Sequence, residues 1–227
     1  MKKHIISLIC LLFCIPIYAQ QTIDLNTSNI VSGIQETIPS RDVETMATGI
    51  SVSYNFSKVT KFNDTLYPGT ALLSIDGFGH NSIITEPSII LKWDSFSIPD
   101  ATACHVEITD SSYIELPLKL TPARPPLIDS NDEFYNLENV PAITEYTGFF
   151  PNSLIYDTDF VEYRGKKIMN VCFSPVQYDY QNEKVRLYTH IKYEIIYDGE
   201  TDENIPNIKK YQSFLDNNTL NGSTYTY

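Results

Sequence analysis

The chain has 227 residues, and its composition indicates an acidic β-protein. It contains 16 Tyr, 11 Phe and 13 Pro, and abundant aromatic residues with frequent prolines favour short strands over helices. Without Lys2 and Lys3, 14 of the 16 basic residues remain against 28 acidic ones, which gives a net charge of −14. Such an acidic excess argues against nucleic acid and anionic membrane surfaces as partners.

Residues 1–19 have the pattern of a secretory signal peptide. The sequence "MKKHIISLICLLFCIPIYAQ" begins with two lysines, continues with an apolar run over residues 5–17, and places Ala19 before Gln20. This is the arrangement of a cleavable export signal, and the apolar run is too short to cross a bilayer as a helix. We therefore expect an exported protein without a membrane span, in the periplasm, at the cell surface or outside the cell.

Export leaves two cysteines in the mature chain, Cys104 and Cys172. An oxidising compartment permits a disulfide between them. Each cysteine also lies in an apparent strand, where a buried free thiol is an equal alternative. The sequence leaves both states open.

The first half of the mature chain changes from weak to strong strand patterning. Residues 20–45 are polar and weakly patterned, which predicts an extended or flexible lead-in. Residues 46–200 then form one predicted β domain, because short apolar segments alternate there with turn signals. Its first strand candidates cover residues 50–56, the middle of 66–79, 88–99, 103–110 and 112–120. In the last of these, Pro117 indicates an edge strand or a bulge.

A long polar segment interrupts this series. Residues 121–148 carry four prolines and few periodic apolar positions, which predicts a crossover rather than a hairpin. Strand candidates resume at residues 154–163, turn at Arg164-Gly165, and return along 166–173.

The clearest pattern of the chain follows at residues 184–197, where apolar and polar residues alternate. This period of two predicts a long strand with one face on a core. Residues 201–227 read as an acidic and polar tail with one candidate short helix. Seven to ten such strands predict an all-β fold, an antiparallel β-sandwich of jelly-roll-like form. The residues of the predicted core face are Val185, Leu187, Thr189, Ile191, Tyr193, Ile195 and Tyr197.

No catalytic constellation is apparent. Cys104 and His105 are neighbours on a predicted strand, so their side chains point to opposite faces and cannot form a nucleophile–base pair. His80 and His190 have no fixed partner, and the carboxylates are scattered. We therefore expect no catalytic site, no metal and no cofactor in this chain.

Several segments together resemble the propeptide of gingipain-type cysteine proteases. They are "PARPPLIDS", "FFP", "YRGKKIMNVCFSPVQYDYQNEKVRLYTHIKYEIIYDG" and the terminal "FLDNNTLN". The likeness lies in their order: an aromatic-Pro pair, an Arg-Gly hairpin, Pro-x-Gln-Tyr, a short polar loop and a long alternating strand. It is strongest over residues 120–200. Within the motif, we expect Gln177 and Tyr178 to be structural.

The resemblance implies a role that the residues alone do not supply. Such propeptides are β-sandwiches N-terminal to a caspase-like catalytic domain, which they help to fold and hold latent until cleavage. The implied partner is that catalytic domain, in cis or in trans. The chain itself would not be an enzyme, because no catalytic His or Cys matches. It ends about where a catalytic domain would begin, as expected either of a stand-alone protein or of the N-terminal piece of a longer zymogen.

The resemblance also points to a basic residue as an inhibitory plug, because a propeptide arginine fills the primary specificity pocket in arginine-specific members. Our candidate is Arg124, whose guanidinium could pair with a pocket carboxylate. Prolines beside it would lower the entropy lost on docking. An ordinary solvated cation is the alternative at each position. The predicted inhibitory loop comprises Pro122, Arg124, Pro125 and Pro126, and the secondary candidates are Arg164, Lys166 and Lys167.

A second hypothesis comes from a different class. β-Sandwiches also serve as adhesion or carbohydrate-binding modules, and the 16 tyrosines together with Trp93 could supply stacking platforms. Clustered exposed aromatic side chains would favour this alternative.

Overall fold

The computed structural model describes residues 20–99, 103–124, 146–163, 166–198 and 219–220. Within these residues the chain forms fourteen strands and no helix. The strands are β1 (Gln21–Asp24), β2 (Asn29–Ser32), β3 (Ser40–Met46), β4 (Gly49–Asn55), β5 (Lys58–Asn63), β6 (Ala71–Ser74), β7 (Gly79–His80), β8 (Ile90–Ile98), β9 (Ala103–Pro117), β10 (Phe149–Phe150), β11 (Ile155–Tyr163), β12 (Lys166–Phe173), β13 (Val176–Asp179) and β14 (Lys184–Asp198).

The strands form three sheets, and every pairing between the named strands is antiparallel. The first sheet has the order β2-β1-β5-β6, and the third has the order β11-β12-β8-β7. In the second sheet β14 is central. It pairs with β9 along one edge, and with β13 and then β4 along the other.

The long alternating strand is confirmed as β14, the centre of the second sheet. Thr189 departs from the pattern: it is only half-buried, while its neighbour Tyr188 is buried. The register against β9 shifts at this point, and a bulge of this kind turns side chains locally. The buried positions of the predicted core face are Val185, Leu187, Ile191, Tyr193 and Ile195.

Much of the core lies between the second and third sheets, and strands of the first sheet add further buried residues to it. Tyr54 on β4 packs against Phe173 on β12 with ring centroids 4.9 Å apart. Phe96 on β8 packs edge-on against Tyr193 on β14 at 6.3 Å. Aromatic pairs that span two sheets bury large apolar areas and hold the sheets face to face. The predicted all-β antiparallel sandwich is therefore confirmed.

The core also contains one carboxylate, Asp94 on β8, which is 2% exposed. The hydroxyl of Tyr54 donates to Asp94 Oδ2 at 2.7 Å, and that of Tyr193 donates to the same oxygen at 2.9 Å. Burial raises the pKa of Asp94, and these two hydrogen bonds offset the effect only in part. Asp94 thus joins strands of both sheets through polar contacts inside an apolar core.

Two parts of the chain are more regular than the sequence suggests. Residues 20–45 form β1, β2 and most of β3, because β1 pairs with β5 and β3 pairs with β4. The two strands predicted at 103–110 and 112–120 are one strand, β9. Thr189 is an extra residue in β14 and Thr109 is one in β9. These two register shifts cancel, so the pairing continues through the polar middle of β9.

The two cysteines are free thiols. Cys172 is buried on β12, and half-buried Cys104 on β9 places its Sγ 3.5 Å from the Sδ of Met169. Of the two states left open by the sequence, the structure therefore has the unpaired one.

Several predicted features lie outside the described residues. They are the signal peptide at 1–19, the Arg164-Gly165 turn, residues 125–145 of the crossover, and the tail with its candidate helix, apart from Thr219 and Leu220. Over the part of the chain that is described, no helix is long and apolar enough to span a membrane.

Candidate functional site at the base of the crossover

The two described ends of the crossover meet at Glu86. At the start, the backbone N–H of Ala123 donates to the backbone oxygen of Glu86 at 2.8 Å. At the end, Tyr146 and Phe149 line a cavity that Glu86 also lines. We call residues 121–124 and 146–150 the crossover base. Both ends of the segment that carries the predicted inhibitory loop are therefore held at one place.

Arg124 lies near the start of the crossover, and its guanidinium forms an ion pair with Asp64. The Arg124 side chain is 37% exposed, whereas that of Asp64 is only 5% exposed. The guanidinium carbon also lies 5.4 Å from the ring centroid of Tyr67, within the range of a cation–π contact. Arg124 is thus anchored on its own chain while keeping part of its surface open.

Asp64 follows β5 and is satisfied by several donors. The hydroxyl of Thr121 donates to the carboxylate that Arg124 contacts. The backbone N–H groups of Leu66 and Tyr67 donate to Asp64 Oδ1 at 2.8 and 3.4 Å. Asp64 therefore ties the loop after β5 to the start of the crossover.

The pKa of Asp64 reflects this set of donors. Burial acts to raise the pKa of the carboxyl group, but hydrogen bonds from Thr121 and Arg124 outweigh it and hold the pKa below its usual range. Asp64 remains a carboxylate at neutral pH.

The other predicted site residues lie on different elements. Pro122 is buried and pairs with Pro87 in an isolated bridge, so it is part of the scaffold. Lys166 is 5% exposed and Lys167 half-buried at the start of β12, in the third sheet. The remaining candidates, Pro125, Pro126 and Arg164, lie outside the described residues.

Gln177 has the structural place expected of it. Its Nε2 donates to the backbone oxygen of Pro151 at 2.8 Å, and the hydroxyl of Tyr188 donates to its Oε1 at 2.6 Å. Tyr178 is buried beside it. The Pro-x-Gln-Tyr motif therefore holds the end of the crossover against β13 and β14.

The described residues hold no group of three or more His, Cys, Asp or Glu side chains that could bind a metal ion. The exposed aromatic side chains are also dispersed: Trp93 lies on β8, Tyr113 on β9, and Phe160 and Tyr163 on β11. Phe160 and Tyr163 point to opposite faces, because they are three residues apart on one strand. This arrangement does not favour the carbohydrate-binding alternative.

Comparison with known proteins identifies the family. The family model described as Propeptide_C25 matches residues 51–222, so the chain belongs to the C25 propeptide family. The match extends well upstream of the segments that carry the resemblance in the sequence, and the predicted relationship to gingipain-type propeptides is confirmed.

Two solved structures share the fold. One comes from a study of the zymogenic latency of gingipain K from Porphyromonas gingivalis; it has 19% sequence identity and a TM-score of 0.60, over 80% of this chain and 100% of that one. The other is from the complex of Porphyromonas gingivalis RgpB pro- and mature domains, with 18% identity and a TM-score of 0.63, over 82% of this chain and 98% of that one. Comparison with curated protein sequences found no match.

Proposed function

We propose that this chain is a latency domain that binds the catalytic domain of a gingipain-type cysteine protease, in cis or in trans. It holds that domain inactive and assists its folding. The observation that carries this proposal is the match of the C25 propeptide family over residues 51–222. The two structural neighbours, which concern gingipain latency and a complex of pro- and mature domains, support the same function.

The chain has no proteolytic activity of its own in this proposal. A nucleophilic cysteine needs a lowered pKa, because the thiolate is the reactive form. Here burial raises the pKa of Cys172 to about 12, and burial is also the largest cause that raises the pKa of Cys104. Both thiols are therefore held in the unreactive state.

Export to the periplasm, the cell surface or the medium is part of the proposal. The basic start, short apolar run and small residue before Gln20 support it, because these features direct secretion.

We further propose that Arg124 is exchanged between Asp64 and a carboxylate in the protease specificity pocket. Leaving Asp64 is tolerable because the carboxylate keeps three other donors, the Thr121 hydroxyl and the backbone N–H groups of Leu66 and Tyr67. The guanidinium would then exchange one charge-assisted pairing for another. Arg164, Lys166 and Lys167 remain the secondary candidates for this role.

The test is the inhibition constant of purified residues 20–227 against an arginine-specific gingipain-type protease. Arg124→Ala should weaken inhibition at least tenfold, about 1.4 kcal/mol. Lys119→Ala is the matched control, since Lys119 also forms an ion pair, with Glu183 at 2.7 Å, and its loss should leave inhibition unchanged.

Asp64→Ala distinguishes two roles of Arg124, as a plug of the specificity pocket or as an anchor of its own loop. If Arg124 is the plug, removing its resting partner preserves or tightens inhibition while Arg124→Ala loses it. If Asp64→Ala and Arg124→Ala weaken inhibition equally, Arg124 only anchors the loop and the plug proposal is wrong.

A further inference from the structure

A cavity of about 390 Å³ lies at the crossover base. Four aromatic residues contribute to its wall, together with one carboxylate. We call it the aromatic cavity, and the residues that define it are Glu86, Tyr146, Phe149, Phe150 and Tyr156. None of the functions assigned above uses it.

Glu86 supplies the charge of this cavity. The residue is 9% exposed, and its Oε2 accepts hydrogen bonds from Asn81 Nδ2 at 2.9 Å and from the Tyr156 hydroxyl at 3.2 Å. Both donors are neutral, and among the described residues Glu86 takes part in no ion pair. Buried charges are normally paired with an opposite charge or a metal, so a cation that entered the cavity would find in Glu86 a carboxylate that is unpaired within the described part of the chain.

The pKa of Tyr156, which lies beside this carboxylate, is also affected by its charge. Burial raises the pKa of Tyr156 to about 12, and the negative charge of Glu86 contributes to the shift. Of these two causes, only the charge of Glu86 would favour a cation in the cavity, because burial disfavours any charged group.

Aromatic rings make up much of the lining of the cavity. Tyr146 and Phe150 are stacked with centroids 4.4 Å apart. The ring of Phe149 already makes a cation–π contact within this chain, since the Arg186 guanidinium carbon lies 3.6 Å from its ring centroid. The Arg186 charge is paired with Glu115 at 2.9 Å, so it does not neutralise Glu86.

We propose that the aromatic cavity binds a cationic side chain, an arginine or a lysine, presented by the protein partner of this chain. Aromatic faces next to a carboxylate attract such groups through cation–π and charge interactions, and the cavity volume suits a single extended side chain. The identity of the partner rests on the proposed function. Because the Ala123 N–H is bonded to Glu86, an occupant would also fix the base of the inhibitory crossover.

The first experiment tests the cavity without any protease. Purified residues 20–227 are titrated with N-acetyl-arginine amide and with N-acetyl-citrulline amide, its neutral isostere, while amide and aromatic NMR signals are followed. The arginine probe should shift signals of Tyr146, Phe150 and Tyr156 and bind at least tenfold more tightly than the citrulline probe. Equal binding of the two probes, or no binding of the arginine probe, overturns the proposal.

The matched variants are Glu86→Gln in the cavity and Glu44→Gln on exposed β3. A glutamine at position 86 keeps an oxygen that can accept from Asn81 and Tyr156, so it removes the charge while the fold is retained, which thermal unfolding verifies. Glu86→Gln should lose at least tenfold in affinity for the arginine probe, and Glu44→Gln should bind it like wild type. Unchanged binding by Glu86→Gln contradicts the role of this carboxylate.

The second experiment tests the source of the cation, by inhibition of the partner protease. Glu86→Gln should weaken inhibition at least fivefold and Glu44→Gln should not. If the arginine probe binds but Glu86→Gln inhibits like wild type, the cavity takes small free cations and its assignment to the partner is wrong. If wild type does not inhibit at all, the proposed function fails and the partner with it, whereas the probe titration still decides whether the cavity binds cations.

Discussion

Asp94 and Asp64 are both nearly buried carboxylates, and they differ in what satisfies them. Asp94 lies between the second and third sheets and accepts from the neutral hydroxyls of Tyr54 and Tyr193. Asp64 lies at the crossover base and accepts from a cation, Arg124, as well as from Thr121 and two backbone N–H groups. The pKa of Asp94 is raised by burial, while that of Asp64 is lowered because its donors outweigh burial.

The two carboxylates also differ in which parts of the chain they hold together. The contacts of Asp94 join β4, β8 and β14, so its loss would act on the whole sandwich. The contacts of Asp64 join one loop to one end of the crossover, so its loss would act on the proposed inhibitory loop while the sheets persist. The cost of keeping Asp94 charged inside the core is the larger of the two, because its hydrogen-bond donors among the described residues are neutral hydroxyls.

The largest effect is expected for Asp94→Ala. Two buried tyrosine hydroxyls would lose their acceptor, and each such loss costs about 1–3 kcal/mol, so we expect destabilisation by about 4 kcal/mol. Chemical denaturation measures this free energy of unfolding, with Asp42→Ala on exposed β3 as the control. A loss below about 1 kcal/mol would show that Asp94 does not join the sheets.

The next effect tests the close approach of β4 to β14. A Cβ at Gly49 would lie 2.1 Å from the backbone oxygen of Ile195, whereas a Cβ at Gly79 would meet nothing within 4 Å. Gly49→Ala should therefore destabilise the fold by about 2 kcal/mol, the size typical of overpacking. Gly79→Ala, measured by the same unfolding experiment, should be close to neutral. Equal effects of the two substitutions would contradict the observed packing of β4 on β14.

The smallest expected effect is a difference between Asp64 and Asp94 in how folding stability depends on pH. For Asp64 the folded pKa is lowered, so its stabilising contribution is present above the unfolded pKa and is lost as pH falls through the folded value. For Asp94 the folded pKa is raised, so its contribution improves as pH falls. Relative to the non-titrating variants Asp64→Asn and Asp94→Asn, wild-type stability should fall with acidification in the first comparison and rise in the second. If the stability difference changed with pH in the same direction in both comparisons, the two carboxylates would not differ as described.

The strands that the sequence predicts are those whose pattern is local. β14 alternates over its own residues, and β11 and β12 are adjacent in the chain. The strands of the lead-in, residues 20–45, have only a weak local pattern. β1 and β3 are stabilised by pairing with β5 and β4, and a polar edge strand carries little periodicity of its own. The sequence predicts two strands in place of β9, because the continuity of its polar middle depends on two compensating shifts against β14.

The candidate site could be predicted only in part, because its contacts also join residues that are far apart in the sequence. Proline spacing drew attention to Arg124, but its partner Asp64 is 60 positions away in the sequence and has no local signature. Asp94 receives its donors from positions 40 and 99 residues away. Glu86 and the rings of the aromatic cavity likewise come from separate segments that only the fold brings together.

The proposed function is that this chain binds and restrains a gingipain-type catalytic domain. The most direct measurement is a calorimetric titration of purified residues 20–227 with that catalytic domain, in which residual peptidase activity is followed in parallel. We predict a saturable complex in the nanomolar to micromolar range, with loss of activity that follows its formation. Absence of both binding and inhibition with every gingipain-type protease of the source organism would contradict this function.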